Sequence, residues 1–334
     1  MDKKTFKALW VERNENDTYK RSIITRSLDD LPSGEVLVKV NYSSLNYKDA
    51  LSASGNRGVT KRYPHTPGID ASGEVVSSDV EEFKVGQLVI VTCYGLGMNT
   101  PGGFGEFIRV PASWVLPCPE GLSLYEAMVY GTGGFTAALS VERLLNLGVK
   151  PEQGKVLVTG ATGGVGSFAV ALLAREGFEV VAVSGKSDKE QFLLDLGAQR
   201  VLPREKAVGS AQRAILKPQW AGVVDTVGGP ILATAIKGVK YGGAVTCCGN
   251  AASADLDLTV YPFILRAVSL LGIDAAECAM EMRKRVWLKL AGKWKLPGLE
   301  SMAVTITLEE LDQYIEKILH GRVSGRVILR HTVE

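Results

Sequence analysis

Three glycines spaced three residues apart, Gly160, Gly163 and Gly166, have the spacing that brings a protein backbone against phosphate groups. They follow a short apolar run, residues 156–159, and open a segment in which apolar residues recur with helical spacing. Glycines at such a turn let backbone N–H groups approach a pyrophosphate, and the positive end of the helix dipole favours its charge. The pattern predicts a dinucleotide site, and the alternative is an ordinary tight turn between a strand and a helix. The predicted contacts come from the residues of the turn: Thr162, Gly163, Gly164, Val165 and Gly166.

The residues that end the next predicted strand indicate which dinucleotide binds. NAD sites usually carry an acid there, which accepts a hydrogen bond from the ribose 2′-OH. This chain has Ser184, Gly185 and Lys186 instead, and its first acid, Asp188, falls beyond the predicted strand. A carboxylate would repel a 2′-phosphate, whereas a hydroxyl and an ammonium group would bind it. The sequence therefore predicts NADPH, and the alternative for Lys186 is a solvated loop lysine.

The composition is that of an ordinary globular protein. Its 334 residues suffice for two domains, and 46% of them are hydrophobic. A net charge of +2 gives no electrostatic reason to expect nucleic acid or a membrane surface as a partner. No apolar run is long enough to span a bilayer. The N-terminal residues lack an apolar signal core and the five cysteines show no paired framework, so we expect a cytoplasmic protein.

The position of the glycine turn predicts the order of the domains. Because the turn lies near the middle of the chain, a substrate-handling domain is expected before it. Residues 5–115 contain short strand-like runs punctuated by Gly and Pro, which predicts a β-rich domain. From residue 156 to about residue 275 strand and helix patterns alternate, which predicts an α/β unit with a parallel sheet. Two helices and a closing strand, 326–330, are expected to return to the first domain.

Several segments together resemble the medium-chain dehydrogenase/reductase superfamily: SLNYKDAL (44–51), PGIDASGEV (67–75), GTGGFTAALSV (131–141), ATGGVG (161–166) and GRVSGRVIL (321–329). NYKDAL, VVAVSGK, VLPR and PFILR resemble its zinc-free, quinone oxidoreductase-like branch, most closely the acrylyl-CoA reductase (YhdH/YhfP) type. The resemblance implies a homodimer whose chain has three parts. They are a GroES-like β-barrel catalytic domain at 1–122, a Rossmann NADP-binding domain with a doubly wound parallel sheet at 123–275, and a C-terminal return at 276–334.

Zinc is not expected. A catalytic zinc needs about three Cys, His or acidic ligands. The zinc alcohol dehydrogenases carry a Cys after an early strand and a Gly-His-Glu further on, where this chain has Asn46 and Gly68-Ile69-Asp70. The chain holds three histidines, and His65, between two prolines, is interpreted as a loop residue. Hydride chemistry is then expected to proceed without a Lewis acid.

Tyr47, in NYKD, is the main catalytic candidate. The resemblance implies that it faces the nicotinamide, where its hydroxyl donates a hydrogen bond or a proton, or its ring supports the nicotinamide. We favour the ring, because phenols are weak acids at neutral pH. Asn46 and Asp49 flank it as candidate substrate-binding or supporting groups. The alternative for Asp49 is that it caps a helix beginning around Ala50.

The resemblance also implies further cofactor contacts. Arg204, in VLPR, is expected beside Ser184 and Lys186 at the 2′-phosphate, where a planar guanidinium suits a phosphate, and the alternative is a surface arginine. Arg322 is assigned to the cofactor end with less support from the pattern. The positions expected to line the nicotinamide half are Asn250, Ile264 and Ala275.

The expected activity is NADPH-dependent reduction of the C=C bond of an α,β-unsaturated carbonyl, most concretely acrylyl-CoA to propanoyl-CoA. One alternative is a quinone or general enone reductase on the same scaffold. The other is an NADPH-binding protein that turns over no substrate. A basic loop with Arg57, Lys61 and Arg62 is either a contact for CoA phosphates or a solvated charge cluster. In the first two cases the partner is a small-molecule substrate.

Overall fold

The chain forms two compact units. The computed structural model describes residues 5–209 and 213–331. The first unit runs to Thr132 and resumes at Ala276, and the second comprises Gly133–Ala275. The predicted fold class, a β-rich GroES-like domain with a parallel-sheet Rossmann domain, is confirmed. The first unit extends past the predicted division at residue 122, because helix α2 (Leu124–Asn146) begins in it and is broken by the non-helical Gly131 before it continues into the second unit.

Antiparallel sheets dominate the first unit. A hairpin pairs β1 (Thr5–Arg13) with β2 (Tyr19–Ser27). A larger sheet has the order β14-β15-β3-β4-β5-β7, and β6 also pairs with β3. Its strands are β3 (Val36–Ser44), β4 (Asp70–Ser78), β5 (Leu88–Thr92), β6 (Phe107–Val110), β7 (Val115–Pro117), β14 (Ala303–Ile306) and β15 (Arg326–Arg330).

The C-terminal segment is part of the first unit. Strand β15 pairs antiparallel with β3, so that Ile328 lies opposite Ser44. Helix α7 (Met280–Ala291) and helix α8 (Leu311–Leu319) lie between Ala276 and this strand. Apolar residues of α8 share one buried cluster with Ala50 and Ala53 of helix α1 (Tyr47–Ala53). Because an isolated seven-residue helix is unstable in water, this packing stabilises the part of α1 that carries Ala50 and Ala53.

Helix α1 begins earlier than one of the sequence interpretations required. The helix starts at Tyr47, with Asn46 as its N-cap residue, so Asp49 lies in the first turn. The interpretation of Asp49 as the cap of a helix beginning around Ala50 is therefore wrong. Its carboxylate instead accepts a hydrogen bond from the backbone N–H of Asn46 at 2.8 Å, the return half of a capping box.

The second unit is built on a parallel sheet with the strand order β10-β9-β8-β11-β12-β13. The order runs outward from β8 in both directions, so the chain changes direction between β8 and β11. In open sheets of this kind ligands bind at the carboxyl ends of the strands beside that point. The strands are β8 (Val156–Val158), β9 (Val180–Ser184), β10 (Ala198–Pro203), β11 (Trp220–Asp225), β12 (Val239–Cys247) and β13 (Ser269–Gly272).

Helices alternate with these strands. They are α3 (Gly166–Arg175), α4 (Glu190–Asp195), α5 (Gly229–Lys237) and α6 (Tyr261–Arg266). Leu157, Val181, Val223 and Val245, from adjacent strands, share a buried cluster with Ile231 and other residues of α5. Across residues 5–209 and 213–331, no helix has the length and apolar character needed to cross a membrane.

Candidate active site

The glycine turn between β8 and α3 is shaped by close backbone contacts. Gly160 has a φ of 58°, and a Cβ there would lie 2.2 Å from the Thr226 hydroxyl. A Cβ on Gly166 would lie 2.3 Å from the Gly160 carbonyl oxygen, so both positions require glycine. A Cβ on Gly163 would meet only that carbonyl, at 3.3 Å. Space therefore remains over Gly163, and the turn fits a pyrophosphate bound at the N-terminus of α3.

Asp225, at the carboxyl end of β11, holds this turn in place. It is fully buried, and one oxygen accepts a hydrogen bond from the Thr159 hydroxyl at 2.7 Å. The other oxygen accepts the N–H of Gly228 at 2.8 Å. Thr226 donates its hydroxyl to the Thr159 carbonyl at 2.9 Å. The loops that follow β8 and β11 are thereby joined, although the sequence analysis did not single out Asp225.

The predicted 2′-phosphate residues lie together at the ends of β9 and β10. Ser184 accepts the backbone N–H of Lys186 at 2.9 Å. The Arg204 guanidinium lies against Gly185, because a Cβ on that glycine would be 2.7 Å from Arg204 Nη2. Burial lowers the pKa of Lys186, the Asp188 carboxylate opposes that shift, and the charges of Lys189 and Arg204 add to it. The cations repel one another, and a bound phosphate would relieve that repulsion.

The other cofactor candidates are more scattered. Asn250 is exposed after β12, and Ile264 on α6 is 67% exposed. Ala275 is buried at the last position of the second unit. Arg322 belongs to the first unit, where its backbone N–H donates to the Lys317 carbonyl at 2.8 Å. Their roles toward a cofactor remain predictions.

The three predicted catalytic residues differ sharply in exposure. Tyr47 is 46% exposed, whereas Asn46 is 8% exposed and Asp49 is fully buried. Asp49 Oδ1 accepts the backbone N–H of Gly68 at 3.2 Å and that of Ile69 at 2.8 Å. Its other oxygen accepts the backbone N–H and the side-chain amide of Asn46. Of the three side chains, only that of Tyr47 is substantially exposed.

Sequence reasoning missed a buried polar cluster below Asn46. Asp70 Oδ2 accepts the Asn46 amide at 2.8 Å and the Ser44 hydroxyl at 2.5 Å. Arg326, 3% exposed, donates to Asn46 Oδ1 at 3.0 Å and lies 3.5 Å from the same Asp70 oxygen. Thr132 donates its hydroxyl to Asp70 Oδ1 at 2.5 Å. The available signal was Arg326, a charged residue at the start of the apolar run of β15, because a buried arginine is almost always paired.

The cluster holds two carboxylates and one guanidinium. Burial raises the pKa of Asp49 to about 7, and the Asp70 carboxylate raises it as well, against its hydrogen bonds from Asn46 and Ile69. Burial lowers the pKa of Arg326, and both carboxylates oppose that shift. The guanidinium keeps its charge at neutral pH. Both carboxylates therefore stabilise the buried charge of Arg326.

Two buried groups of the first unit are expected to give opposing pH dependences of stability. The pKa of Asp49 is raised from 3.8 to about 7, so its contribution is lost as the pH rises through that range. Burial lowers the pKa of His331 from 6.5 to about 4, so its contribution is lost as the pH falls through that range. We expect the unfolding free energy of His331→Gln to decline from pH 4 to 7, while the parent changes less. Urea unfolding at several pH values measures this, and parallel profiles would contradict it.

The polar cluster does not fit a catalytic zinc. In the described ranges, no three His, Cys, Asp or Glu side chains are grouped so that they could hold a metal ion. The Arg326 guanidinium already lies beside Asn46 and Asp70, and its positive charge would repel a second cation. Zinc-independent activity stays a prediction.

Comparison with known proteins identifies the family. An alcohol dehydrogenase GroES-like domain model matches residues 32–120, and a zinc-binding dehydrogenase model matches residues 164–290. AcuI of Ruegeria pomeroyi, an acrylyl-CoA reductase, is 42% identical over 97% of this chain and 98% of its own. The chain belongs to the medium-chain dehydrogenase/reductase superfamily. The resemblance seen in the sequence is confirmed, and this member of the superfamily is an oxidoreductase.

Two other relatives of this superfamily member carry cofactors in their structures. YhfP of Bacillus subtilis, a putative quinone oxidoreductase, is 45% identical over 97% of this chain and 98% of its own. A crystal structure of yhfP with NAD bound matches with a TM-score of 0.95 over 98% of this chain and 100% of that one. The yhdH oxidoreductase of Salmonella enterica, in complex with NADP, is 40% identical, with a TM-score of 0.95 over 98% and 100% of the two chains. Both cofactors thus occur among these relatives.

Proposed function

We propose that this oxidoreductase uses NADPH to reduce the C=C bond of an α,β-unsaturated thioester, with acrylyl-CoA as substrate and propanoyl-CoA as product. The observation that carries the proposal is the full-length similarity to the AcuI acrylyl-CoA reductase. The exposed Tyr47 directly follows Asn46, whose side chain is hydrogen-bonded to Asp70 and Arg326; this supports the proposal, because reactions of this kind depend on positioning.

NADPH is proposed over NADH on the contacts at the end of β9. Arg204 packs on Gly185 beside Ser184 and Lys186, which gathers positive charge where a 2′-phosphate would lie. The Salmonella relative with NADP bound supports this assignment. Because the Bacillus relative was solved with NAD, the affinities of this chain for both cofactors are to be measured. The turn at Gly163 and the N-terminus of α3 are proposed to bind the pyrophosphate.

When bound, NADPH supplies a hydride to the β carbon of the substrate. The chain must hold the thioester, donate hydrogen bonds to the carbonyl oxygen as negative charge develops, and exclude water. We assign to the Tyr47 ring the support of the nicotinamide. Asn46 and Asp49 are proposed to position Tyr47, because their polar atoms are already bonded within the protein. A proton must then reach the α carbon to complete the reduction.

A quinone or general enone reductase is the second candidate, because the 45% identical YhfP is described as a putative quinone oxidoreductase. Initial rates of NADPH oxidation with acrylyl-CoA, a quinone and a simple enone separate the two. We expect the highest kcat/KM with acrylyl-CoA, unchanged by a metal chelator. A higher value with the quinone would replace our assignment, and no turnover with any of the three would indicate an NADPH-binding protein without catalysis.

A homodimer is proposed on the edge of the parallel sheet. Strand β13 is the last strand in the order of that sheet as described, and Leu270 on it is 37% exposed. On α6, Ile264 and Leu265 are 67% and 55% exposed. An apolar edge of this kind needs a partner, and a second copy related by a twofold axis would continue the sheet. Light scattering is expected to give twice the 35.8 kDa chain mass, and Leu270→Lys is expected to lower it. A mass of 35.8 kDa for the parent at micromolar concentration would contradict the dimer.

The cytoplasm is the proposed location. All five cysteines lie in the described part of the chain and are free thiols. Thiols persist in reducing compartments.

A further inference from the structure

The buried cluster below Tyr47 joins segments that are far apart in the sequence. Arg326 and Asn46 are 280 positions apart, and Thr132 and Asp70 are 62 apart. Ser44, the last residue of β3, accepts a hydrogen bond from Arg326 Nη2 at 2.8 Å. The contacts meet at the start of α1. Tyr47, the first residue of α1, directly follows the N-cap residue Asn46.

The Asn46 side chain is fixed in one orientation. Its carbonyl oxygen accepts from Arg326, whereas its amide nitrogen donates to Asp70 at 2.8 Å and to Asp49 at 3.2 Å. Reversing the amide would place its N–H groups against a guanidinium and its oxygen against two carboxyl groups. The charges on either side therefore determine the amide orientation, and the side chain of the N-cap residue cannot turn.

The planar guanidinium of Arg326 donates hydrogen bonds to three different segments. Its Nε donates to the Val129 carbonyl in α2 at 3.2 Å, while its two terminal nitrogens donate to Asn46 and Ser44. A lysine has the same charge but a single donor head on a flexible stem, and it cannot make these divergent contacts together. The fork, and not the charge alone, links β3, α2 and the start of α1.

Gly131, the non-helical residue within α2, packs directly against the side chains of this cluster. A Cβ at this position would lie 2.5 Å from Ser44 Oγ, 2.6 Å from Asp70 Oδ2 and 2.7 Å from Arg326 Nη2. The chain thus uses a glycine, with a φ of 49°, to let the backbone approach the cluster. Any side chain at residue 131 would displace the cluster without changing its charges.

We propose that Arg326 is a positioning residue, which through Asn46 fixes the N-terminal turn of α1 and so holds the Tyr47 ring in place for nicotinamide binding and hydride transfer. Helix α1 has only seven residues, and its first turn would fray without this attachment. The inference rests on the proposed function for its catalytic part. Its structural part, that Arg326 controls Tyr47, is measurable from cofactor binding alone.

The test is a double-mutant cycle of Arg326→Met and Tyr47→Ala. We expect Arg326→Met to lower kcat by ~10²-fold, since a misplacement of about 1 Å can cost that much, and to weaken NADPH binding as Tyr47→Ala does. In the Tyr47→Ala background the same substitution should change kcat and the NADPH Kd by less than about twofold, because its effect passes through Tyr47. Effects that multiply in full would overturn the proposal.

A second pair of variants keeps the proposal testable if Arg326→Met does not fold. Arg326→Lys retains the buried charge and should fold, yet it should lose ~10-fold or more in kcat through a misplaced ring. Gly131→Ala, in α2, should also lower kcat by ~10-fold or more, because its Cβ would displace Arg326 and Asp70. Normal kcat and Kd in both folded variants would contradict the proposal.

Arg26 supplies the matched control for loss of a buried arginine. It is 8% exposed, donates to the Asp30 carbonyl and lies over the Trp10 ring. Arg26→Met and Arg26→Lys should lower the Tm but leave kcat within about twofold, and they should add independently to Tyr47→Ala. Equal losses of kcat at the two arginines would show a general effect of destabilisation and overturn the specific role. If the parent oxidises no NADPH with any enone, the proposed function fails, while the NADPH Kd cycle still tests the positioning role.

Discussion

Replacing Tyr47 with alanine is expected to weaken NADPH binding by ~10-fold or more, because stacking on an aromatic ring contributes about 1–3 kcal/mol. Replacing it with phenylalanine is expected to lower kcat only a few-fold, because the ring remains. Fluorescence titration and initial rates with acrylyl-CoA measure the two effects. The prediction follows from the 46% exposure of Tyr47, which adjoins a cluster in which Asn46, Asp70 and Arg326 are buried.

The phenylalanine variant separates the ring from the hydroxyl. A loss in kcat of ~10²-fold would assign the hydroxyl as a proton donor or as a hydrogen-bond donor to the enolate oxygen, and would contradict the proposed role. The reaction in D₂O distinguishes these two outcomes. A tyrosine acid should place deuterium on one face of the α carbon, whereas delivery from bulk water should be less selective.

NADPH is expected to bind at least ~10-fold more tightly than NADH, a difference of about 1.4 kcal/mol. Lys186→Ala and Arg204→Ala should each weaken NADPH binding and leave NADH binding nearly unchanged, because we propose that these two neighbouring cations contact the 2′-phosphate, which NADH lacks. Dissociation constants from fluorescence titration with both cofactors measure this preference.

Arg200, an exposed cation of β10, is the matched control for those two variants. Arg200→Ala should leave both dissociation constants unchanged, which separates a local contact from a loss of general positive charge. Equal affinities of the parent for NADPH and NADH would contradict the proposal that the residues after β9 bind the 2′-phosphate.

Features set by local sequence were predictable. The glycine turn, the alternation of strands and helices after it, and the strands over 88–92 and 107–110 follow from residues that are neighbours in the chain. The closing strand 326–330 was also predicted with the correct bounds. In each case a short apolar run and its flanking Gly or Pro carry the information.

The interior of the candidate site was not predictable in this way. Asn46 and Asp49 were visible as polar residues beside Tyr47, but the partners of Asn46 are Asp70 and Arg326, which other strands bring to it. The start of α1 was misplaced in one interpretation for a related reason. An acid near a helix start fits an N-cap or the third helical position equally well, and the N–H groups of Gly68 and Ile69 decide the position of Asp49.

The most direct test of the proposed function is to follow the hydride. NADPH carrying deuterium at the transferable C4 position is incubated with acrylyl-CoA, and the product is analysed by mass spectrometry and NMR. We predict one propanoyl-CoA for each NADPH oxidised, with the deuterium on the β carbon. NADPH that is bound but not oxidised, or deuterium found anywhere other than the β carbon, would contradict the account.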